Sequence, residues 1–245
     1  MTEQQTEITT PDGVADAVLY QPEGAGPWPG VIHLTDIAGI RASHRQMAQR
    51  LASLGYVVLL PNIFYRTARP PVFNTPFKLG DEASMKRVRE LAGPLTPEAM
   101  QRDAAAYVDF LAVHESVRPK KIGVVGYCLT GRMAVHAAAM RPELVVAAAS
   151  FHGASLCTDD PASPHLMLPK VKAHLYFGHA TNDRGMNAEA IEKFNHALRA
   201  WGGRYESEVY EGATHGWTVP DGPVYNQPQA ERAFGKLKEL FAETL

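Results

Sequence analysis

Cysteine, aspartate and histidine are the residues of this chain whose placement could do nucleophilic chemistry. Gly126-Tyr127-Cys128-Leu129-Thr130, with Gly131 next, has the glycine-x-nucleophile-x-small form of a sharp strand-to-helix corner that lifts one side chain clear of its surroundings. Small flanking residues are required because a side chain there would collide with the neighbouring strand or the helix turn. Cysteine stands where serine is usual. A thiol at a helix N-terminus lies in the positive end of the helix dipole, which favours the nucleophilic thiolate. The backbone N–H of Leu129 then points to where an attacked carbonyl oxygen would gather charge, so half of an oxyanion hole comes with the corner. A cysteine taken at random is more often a packed core thiol, and it is the flanking glycines that argue for a nucleophile here. Cys157, in the polar loop Ser155–Pro164, reads as an incidental thiol.

A cysteine nucleophile needs a base, and the base needs orienting. In folds built on such a corner the chain order is nucleophile, acid, histidine. His215 follows the last predicted strand, and Asp183 follows the strand before it, in Gly178-His179-Ala180-Thr181-Asn182-Asp183. A carboxylate at 183 would fix the imidazole tautomer that leaves the other ring nitrogen free to take the thiol proton. Asp159 and Asp160, one strand earlier, are the alternative acids. The second oxyanion donor is expected from the loop after the third strand, Leu34-Thr35-Asp36-Ile37-Ala38-Gly39, with the N–H of Ile37 as candidate. Asp36 would then lie near Cys128, where a carboxylate disfavours thiolate and would modulate the nucleophile; the alternative is a loop-capping aspartate.

These groups need strands that end together. Pro11-Asp12-Gly13 between Ile8 and Tyr20 predicts an edge hairpin. Gly30–Leu34, Tyr56–Leu60, Ile122–Val125, Val145–Phe151, Val171–Phe177 and Tyr205–Tyr210 read as strands. Between them lie helical patterns: Ser43 and Gln46 as a capping box with Gly55 as terminator, Asp81–Leu91, a helix opened by Thr96 and Pro97, one following the corner, one capped by Asn187 and closed by Gly202, and a last helix through Ala230, Phe234, Leu237 and Phe241. Alternating strand and helix makes the class α/β, a mainly parallel sheet of about eight strands with helices on both faces, and ligands of such sheets sit at the carboxyl ends of the strands. Residues 62–96 interrupt the alternation with Tyr65, Phe73 and Phe77 among prolines, and read either as a lid or substrate wall or as a packed surface loop.

The 245 residues fit one domain spanning 1–245. A net charge of −2 argues against nucleic acid or an anionic membrane as partner. No apolar run approaches the roughly 18 residues needed to cross a bilayer, and the polar start MTEQQTEITTPDG lacks the pattern of a secretory signal, so the expected location is cytoplasmic. With only two cysteines there is neither a disulfide framework nor zinc-type spacing. A monomer or homodimer acting on a small molecule is expected.

Taken together, the strand from Pro29 to Ile32 with its loop, Gly55-Tyr56-Val57-Val58 running into Pro61, the Gly126-Tyr127-Cys128-Leu129 corner, Asp183, and His215-Gly216 resemble the dienelactone hydrolase family of the α/β-hydrolases. Tyr225, Asn226, Ala230 and Glu231 resemble its last helix. The resemblance implies hydrolysis of lactones and esters by a Cys-Asp-His triad, without metal or organic cofactor; the best-known members open dienelactone to maleylacetate. Two departures stand out. The family usually has Glu where this chain has Asp36, and members acting on dienelactone carry an arginine shortly after the histidine, where this chain reads Gly216-Trp217-Thr218-Val219. A substrate carboxylate in a dry pocket needs such a donor; Arg66, Arg69, Arg87 and Arg89 are the candidates to replace it. The alternatives to a hydrolase of small esters or lactones are a non-catalytic binder or thiol redox sensor on Cys128, and acyl transfer from peptides or thioesters.

Overall fold

The computed structural model of the chain describes residues 1–74, 77, 78 and 80–245. Its eight strands form one sheet in the order β1-β2-β4-β3-β5-β6-β7-β8. The turn at Asp12-Gly13 folds β1 (Thr2–Thr10) onto β2 (Gly13–Gln21) as an antiparallel hairpin at one edge. β2 pairs antiparallel with β4 (Val57–Pro61), and from there the sheet is parallel: β3 (Trp28–His33), β5 (Val117–Tyr127), β6 (Val145–Phe151), β7 (His174–Asn182) and β8 (Tyr205–Thr214). The expected α/β class with helices on both faces is what the chain adopts. Parallel pairing buries both faces, so these strands are near-continuously apolar and alternate residues feed different cores. In β5, Ile122 and Val124 join the core under α3 (Pro97–Val113), α4 (Gly131–Met140) and α5 (Ala188–Trp201), whereas Val125 and Tyr127 join the core under α1 (Ala42–Ala52) and α6 (Gln227–Thr244).

The chain leaves β3 toward α1 on one face and leaves β5 toward α4 on the other. Their carboxyl ends therefore diverge at a topological switch point, the crevice where ligands of open α/β sheets bind.

Several boundaries differ from the sequence expectation. β7 begins at His174 rather than Val171 and runs on to Asn182, and β8 runs on to Thr214, so the residues at 183 and 215 leave the sheet directly. The Ser43–Gln46 capping box does not form: Arg41 is the N-cap, without a side-chain cap bond, and Ser43 is buried inside the first turn of α1. Thr96 and Asn187 do cap their helices, accepting from the amides of Ala99 and Ala190; Asp81, read as part of its helix, is instead the N-cap of α2 (Glu82–Ala92), accepting from the Ser84 amide. Cys157, read as an incidental thiol, is a free cysteine, 8% exposed in its loop.

Much of the stretch that interrupts the alternation is packed down. Ile63, Phe64 and Val72 are nearly inaccessible, and Arg66 forks onto Asp103 of α3 at 2.7 and 2.8 Å. Gly39, in the loop after β3, is at φ 72, and a Cβ there would lie 2.8 Å from a methyl of Val72. The stretch thus braces that loop from behind. The part of the lid or wall expectation that falls on residues 75, 76 and 79 lies outside the described residues. No helix is long and apolar enough to cross a membrane among the described residues.

Candidate active site

The corner after β5 is as tight as its glycines imply. Cys128 is at φ 56, a left-handed conformation that costs a non-glycine residue roughly 1–3 kcal/mol unless the surroundings over-determine it. A Cβ on Gly126 would lie 2.2 Å from the carbonyl oxygen of Thr130, and one on Gly131 would lie 2.3 Å from Ser150 Oγ and 2.7 Å from Gly153 Cα. The Thr130 hydroxyl closes the bend, accepting from the Tyr127 N–H at 2.9 Å and donating to the Tyr127 carbonyl at 3.0 Å. A single 3-10 turn, Cys128–Thr130, then runs into α4. The thiol at its start is partly exposed.

β7 and β8 bring up two more groups. After a register shift their ends pair Asn182 with Thr214, and the His215 N–H donates to the Asn182 carbonyl at 3.2 Å. The next residue on each strand, Asp183 and His215, is thereby set side by side. His215 Nδ1 lies 2.6 Å from Asp183 Oδ2, and its Nε2 lies 3.0 Å from Cys128 Sγ. The other oxygen of Asp183 accepts from the amides of Gly185 at 2.7 Å and Met186 at 3.3 Å, which aims the carboxylate. Burial works to lower the pKa of His215, but the hydrogen bonds and charges of Asp183 and Cys128 outweigh it and raise the value to about 10. The Asp183 carboxyl is pushed up by burial yet held below its usual range by His215 and the two amides. The alternative acids stand elsewhere: Asp159 is exposed and pairs with Lys193, and Asp160 caps the amide of Ala162.

The loop after β3 has its amides consumed on either side of Ile37. The Asp36 N–H donates to His44 Nε2, the Ala38 N–H to Asp36 Oδ1, and the Gly39 N–H to the Asp36 carbonyl. Ile37 is passed over in that set, as Leu129 is at the corner.

Asp36, expected beside the thiol, turns both carboxylate oxygens to Arg41 at 2.6 and 2.8 Å. Arg41 also reaches Asp221 at 2.8 Å, tying the loop after β3 to the loop after His215. Burial would raise the Asp36 pKa, but His44 and Arg41 together hold it well below the usual carboxylate range. The arginine five residues on offers two parallel donors, a better match for a carboxylate than a single thiol. The arginines considered for a substrate carboxylate are engaged or turned outward: Arg66 holds Asp103 and Asp12, Arg69 pairs with Asp16, Arg87 donates to the Val72 carbonyl, and Arg89 is exposed.

Sequence reasoning missed three groups. His33 and His44 form a fully buried pair, 2.9 Å apart, against the Tyr127 ring. His152 follows β6 and lies against His215, with ring centroids 5.1 Å apart. The position of His152 just past a strand's carboxyl end is the same signal that picked out Asp183 and His215, and it was available. Among the described residues, no group of three His, Cys, Asp or Glu side chains is arranged to hold a metal ion.

Comparison with known proteins fits this geometry. A protein of Synechocystis sp. named "Putative carboxymethylenebutenolidase" is 29% identical over 231 residues, covering 93% of this chain and 91% of its own. The crystal structure of a "Putative Dienelactone Hydrolase" from Klebsiella pneumoniae superposes with a TM-score of 0.86 at 22% identity, covering 98% of each chain. A dienelactone hydrolase from Anabaena variabilis gives 0.71 at 21% identity, covering 100% of this chain and 98% of its own. The sequence profile of the dienelactone hydrolase family matches residues 15–245. With that profile spanning nearly the whole chain, and with the α/β-hydrolase fold beneath it, this protein belongs to the dienelactone hydrolase family.

Proposed function

We propose that the protein hydrolyses small carboxylic esters or lactones through a covalent acyl intermediate on Cys128. One observation carries the reading: a single imidazole, His215, bridges the Cys128 sulfur at 3.0 Å and the Asp183 carboxylate at 2.6 Å. His215 Nε2 is placed to take the thiol proton and hold it as imidazolium, its pKa raised to about 10 by its bonds to Asp183 and Cys128 against the opposing effect of burial. Sγ attacks the substrate carbonyl carbon, and the carbonyl oxygen takes the negative charge between the N–H groups of Leu129 and Ile37. The C–O bond to the alcohol portion breaks as His215 Nε2 gives its proton to the departing oxygen. Water then enters, His215 takes its proton, and the hydroxide attacks the thioester; Sγ leaves, the carboxylic acid is released and the pair is restored. Asp183 keeps Nδ1 protonated throughout, so that Nε2 does the proton transfer.

The substrate class follows from the relatives' names together with the chemistry of the site. No arginine follows His215 closely, and the arginines of residues 62–96 are engaged elsewhere or exposed, so neither place supplies the donor that dienelactone's carboxylate would need. Two free cysteines fit a reducing, cytoplasmic setting, and the whole chain acts as one domain. Turnover of p-nitrophenyl acetate should disappear in Cys128→Ala and in His215→Ala. Unchanged rates in both variants would sink the proposal.

A further inference from the structure

His152 is 1% exposed and is itself at φ 42, with its own N–H still donating to the Gly178 carbonyl at 2.8 Å. Its Nδ1 lies 3.1 Å from the backbone nitrogen of Cys128, and its Nε2 lies 2.8 Å from Thr218 Oγ1. An amide N–H only donates, so Nδ1 must be the acceptor and the ring proton must sit on Nε2, donating to the threonine hydroxyl. The segment bearing His152 also holds the other backbone polar group of the same residue, since the Ala154 N–H donates to the Cys128 carbonyl at 3.2 Å. Its ring makes edge-on contacts with His215 and with Trp217, each at 5.1 Å between ring centroids, and the Tyr127 ring lies tilted against it at 6.0 Å.

We propose that His152 is a positioning residue that clamps the strained backbone of the nucleophile to the loop carrying the base, and so sets the Cys128–His215 contact. This rests on the hydrolase reading above. Only an imidazole offers an acceptor and a donor at opposite ends of one rigid ring, which the geometry demands here: the acceptor for the Cys128 amide, the donor for Thr218, in the loop that begins at His215. Using up the Cys128 N–H also leaves the amides of Leu129 and Ile37 to meet the developing oxyanion. Burial first, and the neighbouring His215 second, lower the ring's pKa to about 3, so it stays neutral and keeps its acceptor wherever the protein is folded. A protonated ring would set two donors against each other and release the clamp.

The two ends of the ring can be separated by substitution. Asn places a polar atom near the Nδ1 position and Gln places one near Nε2, while Phe keeps the ring shape and loses both bonds. His152→Phe should lower kcat on p-nitrophenyl acetate by about tenfold to a hundredfold, the range expected when a reacting group is displaced by about an ångström, with KM changed by less than about threefold. His152→Asn, which keeps only the bond to the Cys128 amide, and His152→Gln, which keeps only the bond to Thr218, should each recover part of the loss and neither should reach wild type. Alkylation of Cys128 by iodoacetamide, followed from pH 5 to 10, should slow at neutral pH in the Phe, Asn and Gln variants, most of all in Phe. Circular dichroism and thermal melting check that each variant is folded; if His152→Phe does not fold, the Asn and Gln comparison decides alone. Equal kcat and equal alkylation profiles across Asn, Gln and wild type would overturn the proposal. If the wild type turned over no ester, the activity reading would fail, while the alkylation profiles would still test the clamp.

Discussion

Replacing Asp183 by Asn removes one charge from the site and keeps its shape. The carboxylate side chain is 3% exposed and accepts a 2.6 Å bond from His215 Nδ1 while two backbone amides hold its other oxygen. A hydrogen bond to a charged partner contributes roughly 1.5–3 kcal/mol, and about 1.4 kcal/mol corresponds to one pKa unit, so the imidazolium should lose about one to two units. The pKa of His215, raised to about 10 with Asp183 present, should then fall in the variant. The same free energy withdrawn from the transition state lowers kcat/KM at pH 7 by roughly 10- to 200-fold. If the amide turns its NH2 toward Nδ1, the ring is held in the wrong tautomer and the loss approaches the roughly 10⁴-fold scale seen for triads. Spectrophotometric p-nitrophenyl acetate hydrolysis from pH 5 to 10, together with the pH profile of iodoacetamide alkylation at Cys128, measures both effects. An Asp183→Asn protein with kcat/KM within twofold of wild type and an unshifted alkylation profile would refute the assignment of roles.

Other outcomes follow from the same geometry. Gly126→Ala should abolish soluble, folded protein or lower its melting temperature sharply, because its Cβ would lie 2.2 Å from a backbone oxygen. Gly235→Ala, inside α6 with nothing within 4 Å, should stabilise by about 0.5–1 kcal/mol in urea unfolding. Arg41→Gln strips the paired donor from Asp36, whose side chain is 13% exposed, and should cost about 2–4 kcal/mol in the same assay, with Asp36→Asn in the double variant restoring part of it. The folded pKa of His215 is raised from 6.5 to about 10, so its contribution to stability is fully present below pH 6.5 and is lost as pH rises toward 10. The fall in melting temperature between pH 7 and 10 should therefore shrink in His215→Ala. His152 runs the other way: its folded pKa is depressed to about 3, so its contribution is present above pH 6.5 and fades as pH falls toward 3.

What lay open in the amino-acid order was local or ordinal. The glycines at 126 and 131 are needed by a bend whose steric demands act over a few residues. Thr96 and Asn187 cap the turn that follows each of them. The alternation of strand and helix fixes the class, and chain order picks Asp183 and His215 out of many acids and histidines because each closes its own strand. The partners across the chain were decided by tertiary structure alone. Val171 and Ala173 are apolar and buried like strand residues, yet the ladder starts at His174, because apolarity reports burial and only the neighbouring strand supplies the hydrogen bonds. Asp36 was read either as lying near the thiol or as capping its loop; it caps the Ala38 amide and faces Arg41, and nothing in the residue types says which nearby group a carboxylate will choose. His152 meets the Cys128 amide across 24 positions of sequence and Thr218 across 66. Such contacts depend on the register of parallel strands, which is set by the packing of both faces at once and leaves no mark in any short stretch of the chain.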